Sequence, residues 1–141
     1  MKKYILFMII AFITVSCGPD LERVVEDTHA DGSPRLVNYY KEDNGTREKV
    51  KVEAFYEDGS KRYTGEFAGG KRNGHWVYWY ENGNKWSEGY FKDDLRDGFG
   101  TTWHENGQKH YEGSYKEGIR VGVWKFYSTE GELVKELDYD N

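Results

Sequence analysis

With 141 residues the chain has room for one ordinary domain or one short repeat array, which excludes a multidomain assembly within this length. Its 12 Tyr, 7 Phe and 5 Trp supply much of a 37% hydrophobic content, and 17 Gly against 2 Pro favour strands and tight turns over rigid linkers. A formal charge of −5 opposes binding to nucleic acid or to anionic lipid.

At the N-terminus Lys2 and Lys3 precede an apolar run from Tyr4 to Val15, and Ser16 closes it before Cys17, the single cysteine. This pattern predicts a signal peptide over residues 1–16. The run is too short for a membrane-spanning helix, which needs roughly 20 residues. The ending "TVSC" resembles a bacterial lipobox, although Thr14 stands where Leu, Val or Ile is usual. That resemblance implies cleavage before Cys17 and acylation there, palmitate included, which leaves no thiol for an internal disulfide. Loss of Lys2 and Lys3 leaves 18 basic residues against 25 acidic, a formal charge of −7. Gly18–Asp31, GPDLERVVEDTHAD, is polar and acidic, so residues 17–31 read as lipidated Cys and tether, and the folded domain spans 32–141.

From Asp31 onward the chain repeats itself. Gly59, Gly83, Gly107 and Gly131 are each 24 residues apart; so are Gly65, Gly89 and Gly113, and so are Gly74, Gly98 and Gly122. Aromatic residues share the period, as Phe67, Phe91, Tyr115 and Tyr139, and as Trp79, Trp103 and Tyr127. Asp31-Gly32-Ser33 begins a looser copy, 27 residues before Asp58-Gly59-Ser60. Asn82-Gly83 and Asn106-Gly107, between aromatic runs, predict hairpins with two-residue type I′ turns. The second unit then contributes strands near His75–Tyr80 and Lys85–Phe91, with Lys92–Asp97 as loop. Helical periodicity is absent. The expectation is an all-β, elongated single antiparallel meander of seven to nine strands, built from 24-residue hairpin repeats.

Such a turn pairs Tyr80 with Lys85, Tyr78 with Ser87 and Trp76 with Gly89, and sets Gly65 and Gly113 opposite Val52 and Gly100. One face would carry Trp76, Tyr78, Tyr80, Gly89 and Phe91. The other would carry Val77, Trp79, Trp86, Tyr90, Thr101 and Trp103. In the second unit the glycine leaves room for a large ring to lie across the strand.

The phrases "NGHWVYWYENGNKWSEGYF", "DGFGTTWHENGQKHYEGSY" and "VGVWKFYSTEGELVKELDY" resemble the bacterial variant of the MORN repeat, G-x-W-x-x-Y, then N-G, then a strand bearing G-x-Y/F. The likeness runs from about Glu53 to Tyr139. Gly100 departs from it where Trp76 and Trp124 stand, and Leu137 replaces the last glycine. The resemblance implies scaffolding, lipid-contacting, or antitoxin and immunity roles. An export signal fits immunity to a toxin arriving from outside, at a bacterial envelope, periplasmic or surface.

His29, His75, His104 and His110 lack zinc spacing, and Asp93, Asp94 and Asp97 lack the glycine and final Glu of an EF-hand loop, so neither a metal nor another cofactor is expected. His104-Glu105 and His110-x-Glu112 could pair as acid and base, yet other units fill those positions with Tyr80, Ser128 or Trp86, so no catalytic residue is assigned and no enzyme is expected. Arg72, Arg96 and Arg120 would line one edge of the sheet, chiefly offsetting acidic neighbours, or else holding an acidic partner or a phosphate. Trp79, Trp86, Tyr90 and Trp103 are the candidate partner-binding residues, because Trp and Tyr anchors dominate docking energy. The alternative for that face is a second core surface. The functional expectation is a membrane-anchored module that masks a protein partner, or else an envelope structural or carbohydrate-contacting lipoprotein.

Overall fold

The computed structural model describes residues 21–141; the expected signal peptide, the expected acylation site Cys17 and the first residues of the expected tether lie outside the described residues. Eleven strands form one antiparallel sheet: β1 (Glu22–Thr28), β2 (Pro34–Asp43), β3 (Thr46–Phe55), β4 (Lys61–Ala68), β5 (Lys71–Trp79), β6 (Lys85–Lys92), β7 (Leu95–Arg96), β8 (Gly98–Trp103), β9 (Lys109–Lys116), β10 (Ile119–Tyr127) and β11 (Leu133–Asp138). Spatial order follows chain order, with β7 paired to β6 alone, so the sheet is an open meander.

The strand number exceeds the expected seven to nine for two reasons. The predicted tether is wrong beyond Leu21, because Glu22–Thr28 pairs with β2 as an edge strand. Its alternating charges misled the tether reading, yet they suit an edge: Glu22 meets Arg47 at 2.7 Å, and Tyr40 donates to Glu26 at 2.8 Å. Secondly, Gly98, at φ 108°, divides β7 from β8 inside what was read partly as loop.

The two ends of the sheet use different turns, and the sequence expectation had them in the wrong place. At Asn82-Gly83 only the glycine has positive φ, 86°. The Tyr80 carbonyl accepts from Gly83 N at 3.0 Å and Tyr80 N donates to Asn84 O at 2.9 Å, a three-residue turn followed by a bulge. The same bonds recur at Gly32, Gly59, Gly107 and Gly131. Two-residue turns with positive φ at both positions sit at the opposite end, at Asn44-Gly45, Gly69-Gly70, Asp93-Asp94 and Glu117-Gly118. Asp94 holds φ 71° where the other three have glycine.

The expected pair Tyr80–Lys85 does not form, since the longer turn pairs Lys85 with Trp79 and Tyr80 with Asn84; Tyr78–Ser87, Trp76–Gly89, Val52–Gly65 and Gly100–Gly113 do form, because the bulge restores the register that this turn shifts. The bulge residue is Trp86, inserted between the pairs Tyr78–Ser87 and Trp79–Lys85.

Among the described residues the single sheet has no second layer to bury its rings, so it buries them along its own surface. The Trp76 and Trp124 indoles lie flat over Gly65 and Gly113, where an added Cβ would stand 2.0 and 2.3 Å from ring carbons. Trp76 therefore covers Gly65 on β4, and not its other partner Gly89 on β6. Phe67, Phe91, Tyr63 and Tyr78 close around Trp76, while Tyr111, Tyr115, Phe126 and Tyr139 close around Trp124. Both indoles are buried.

Candidate functional site

Alternation along the strands gives the sheet two unlike faces. The first carries the ring clusters around Trp76 and Trp124. Arg72, Arg96 and Arg120 were expected along an edge; they instead cross this face and lie over its rings. Arg72 stands 4.3 Å from the Phe91 centroid and Arg120 stands 4.5 Å from that of Trp124, while Arg96 is 5.4 Å from both Phe91 and Tyr115. The arginine stems and guanidinium planes thus serve as a thin cover over the aromatic core.

Two of these arginines have their donors taken up. Arg72 donates from Nη2 to the Asp94 carbonyl at 3.0 Å and from Nε to the Asp94 carboxylate at 3.3 Å. The backbone amide of Arg72 also donates to that carboxylate, at 2.9 Å, and holds the Asp94 carboxyl below its ordinary range. Arg120 donates to the Tyr139 hydroxyl at 2.8 Å. Arg96 has only a long contact of 3.4 Å to the Ser87 hydroxyl.

The second face is a ladder of restrained carboxylates. Glu53 accepts from the Tyr39 hydroxyl at 2.6 Å and meets Lys51 and Lys61 at 3.0 and 3.1 Å. Burial opposes its charge, yet the Tyr39 hydroxyl and the two lysines overcome that and hold its pKa at about 2. Glu88 lies 2.9 Å from His75 and 2.6 Å from Lys85. Glu112 lies 2.8 Å from Lys109 and accepts from the Tyr127 hydroxyl at 2.7 Å, which pushes the phenol up to about 12. The 24-residue step from Glu88 to Glu112 was present in the sequence and went unused.

The four predicted binding residues do not share a surface. Trp79, Tyr90 and Trp103 are on the carboxylate face, partly or half exposed, and among the described residues no ring-to-ring contact joins them. Tyr90 stacks against His75 at 5.1 Å, and Lys85 reaches over the Trp103 ring at 5.6 Å. Trp86 has crossed to the other face, because a bulge turns two successive side chains to one side. Its ring packs on Tyr78 at 5.7 Å and on Tyr80 at 6.2 Å while staying 48% exposed.

The histidines find structural work. His29 and His104 place Nε2 at 3.2 Å from the carbonyls of Phe55 and Tyr127. Tyr56 and Tyr80 donate from the equivalent positions to the carbonyls of Trp79 and Trp103 at 2.7 and 2.9 Å. Each is a tie from one hairpin to the next. His104 also stacks on His110, with centroids 4.2 Å apart.

Where the first face should continue its aromatic cover it opens instead. A cleft of about 500 Å³ lies between the two ring clusters, bordered by Tyr78, Trp86, Phe91, Arg96 and Tyr111. Gly100 stands where an indole would have filled it.

Two family models match the chain. The MORN repeat variant matches residues 72–93 and 120–141, and the MORN repeat matches residues 88–109 and 111–123. The two variant matches start at Arg72 and Arg120, two periods apart, so the matched windows follow the hairpin register. The chain is thus similar to MORN-repeat proteins over most of residues 72–141. No curated protein gives a significant match.

Proposed function

We propose that the chain is a binding module held to a bacterial envelope membrane by acylated Cys17, which acts by covering a protein partner in the manner of an immunity protein. Repeats of this type often mediate protein or membrane binding. The observation that carries the reading is the carboxylate face: Trp79, Tyr90 and Trp103 project from a rigid, open sheet that has no second layer over them among the described residues, and Phe99 beside them is 52% exposed. Large rings on rigid strands lose little entropy on docking, and truncating such an anchor costs about 2–4 kcal/mol of affinity.

The test is partner retention by residues 18–141 from extracts of the parent cell, beside a Trp79→Ala, Trp103→Ala variant with an unchanged circular dichroism spectrum. One protein bound by the wild type, lost by the variant, and rebound after separate purification supports the reading. The envelope structural or carbohydrate-contacting role is favoured by the regular spacing of Trp79 and Trp103 on successive hairpins, which suits a polymer of repeating sugar rings. Retention of cell-wall polysaccharide in place of protein would select it.

A further inference from the structure

Stepped by 24 residues, the chain departs from its own pattern at three positions around one point. Tyr63 and Tyr111 bracket Ser87. Trp76 and Trp124 bracket Gly100. Tyr78 and Phe126 bracket Thr102. Asp94 is followed, one period on, by Gly118. The last equivalence is fixed by hydrogen bonding: Asp94 N donates to Arg72 O at 3.0 Å, and Gly118 N donates to Arg96 O at 2.8 Å. All three departures delete rings, and the carboxylate that restrains Arg72 is peculiar to Asp94, since Gly70 and Gly118 stand one period to either side, so Arg96 has no such partner.

Ser87 and Thr102 line the base of the cleft of about 500 Å³ on the first face, and Gly118 lies at its rim. Arg96 occupies the floor. Its Nη1 lies 3.4 Å and 3.6 Å from where Cβ atoms on Gly89 and Gly100 would be, the strip of backbone that an indole covers in the neighbouring clusters. Among the described residues no carboxylate pairs with it, whereas Arg72 is tied to Asp94 and Arg120 to Tyr139. A guanidinium with free donors, walled by Tyr78, Trp86, Phe91 and Tyr111, offers both a ring slot and an anion contact.

We propose that this cleft binds a small aromatic carboxylate, whose flat ring lies between Trp86 and Tyr111 above the strip that Arg96 covers and whose single negative charge meets Arg96. The volume suits a ligand of that size, since small-molecule sites run from about 300 to 1,000 Å³. The charge balance selects a monoanion. Arg72 and Arg96 share the cleft with the ionised Asp94, leaving a net charge of one, and a phosphate dianion would face the Asp94 carboxylate. A planar carboxylate matches the guanidinium fork, and its ring stacks on Trp86 and Tyr111. The site is independent of the protein-docking reading, which concerns the opposite face.

The experiment is calorimetric titration of the full-length chain with indole-3-acetate, indole and acetate. Indole-3-acetate should saturate one site with a Kd below about 1 mM. Indole and acetate should each bind at least about tenfold more weakly, as expected when a charge-assisted contact or the ring burial is lost. Arg96→Gln should weaken indole-3-acetate about tenfold or more, and Gly100→Trp, which rebuilds the neighbouring units' cluster, should abolish binding. The Trp86 indole N–H resonance should move in the wild type alone. Absence of saturation by 10 mM ligand (about ten times that Kd) overturns the proposal, as does equal affinity for indole, or unchanged affinity in folded Arg96→Gln. That last variant decides the matter even if Gly100→Trp does not fold.

Discussion

The segment around Trp124 and the one around Gly100 are the same hairpin written one period apart, yet one closes over itself and the other stays open. At Trp124 a glycine on the neighbouring strand gives the indole a bed, four rings meet its edges and Arg120 covers it. At Gly100 the bed remains, as Gly89, while the indole and two of its neighbours are missing. The contrast separates what holds a single-layer sheet together from what the sheet can spare. In-plane ring packing stabilises it, and one unit does without that packing because Trp-bearing units flank it on both sides.

The largest effect should come from Trp124→Ala, which removes the centre of a closed cluster and costs about 3–5 kcal/mol by chemical denaturation. A loss below about 1 kcal/mol would mean that the rings contribute little, and would erase the contrast. Next comes a matched pair. Gly113→Ala drives a Cβ into the Trp124 ring and should cost about 1–3 kcal/mol, whereas the Cβ of Gly89→Ala meets its nearest atoms at 3.4 Å and should shift stability by no more than about 0.5 kcal/mol. Equal costs would show that the two glycines serve backbone conformation and not ring bedding. A smaller difference should separate the arginines: Arg120→Gln uncovers Trp124 and costs about 1 kcal/mol, while Arg96→Gln leaves stability nearly unchanged.

The smallest effect is a response to acid. His110 occupies the bulge position of Trp86, and burial followed by the charge of nearby His104 lowers its pKa from 6.5. The unfolded chain therefore takes up this proton first, so stability is whole above about pH 6.5 and declines as pH falls through that value toward the folded pKa. The carboxylates act lower, and Glu53, held at about 2, keeps its contribution until pH falls below its ordinary value of 4.5. The melting temperature should drop between pH 7.5 and 5.5, a window placed about one unit either side of that histidine midpoint, and His110→Gln should flatten the slope.

Much of this was legible from residues alone, and the failures have specific causes. The 24-residue glycine series predicted the hairpins and the pairs Tyr78–Ser87 and Trp76–Gly89 correctly, because register follows from side-chain alternation. Turn type was misread, since Asn-Gly fits either a two-residue turn or the end of a bulged three-residue one. That local choice moved Trp86 to the other face, where no alternation rule would put it. The direction of the Trp76 ring was also hidden, because glycine lies on both neighbouring strands and the sequence does not say over which one the ring leans. The edge strand Glu22–Thr28 has too few apolar residues to stand out from a tether. Gly100 was seen as a departure, but Ser87, Thr102 and Gly118 gained meaning only when the sheet brought them to one cleft.

The ties from hairpin to hairpin have a consequence for how such a chain changes length. Tyr56 and Tyr80 each donate to a carbonyl one hairpin ahead, as Asn82 and Asn106 do at 2.9 and 2.7 Å, and among the described residues no such tie leaps over a unit. An in-frame duplication or deletion of one period would therefore leave every such donor facing an acceptor, because the incoming neighbour offers the same carbonyl as the one it displaces. Inheritance can lengthen or shorten this sheet without inventing a new joint, and single units are then free to drift, as the unit around Gly100 has done.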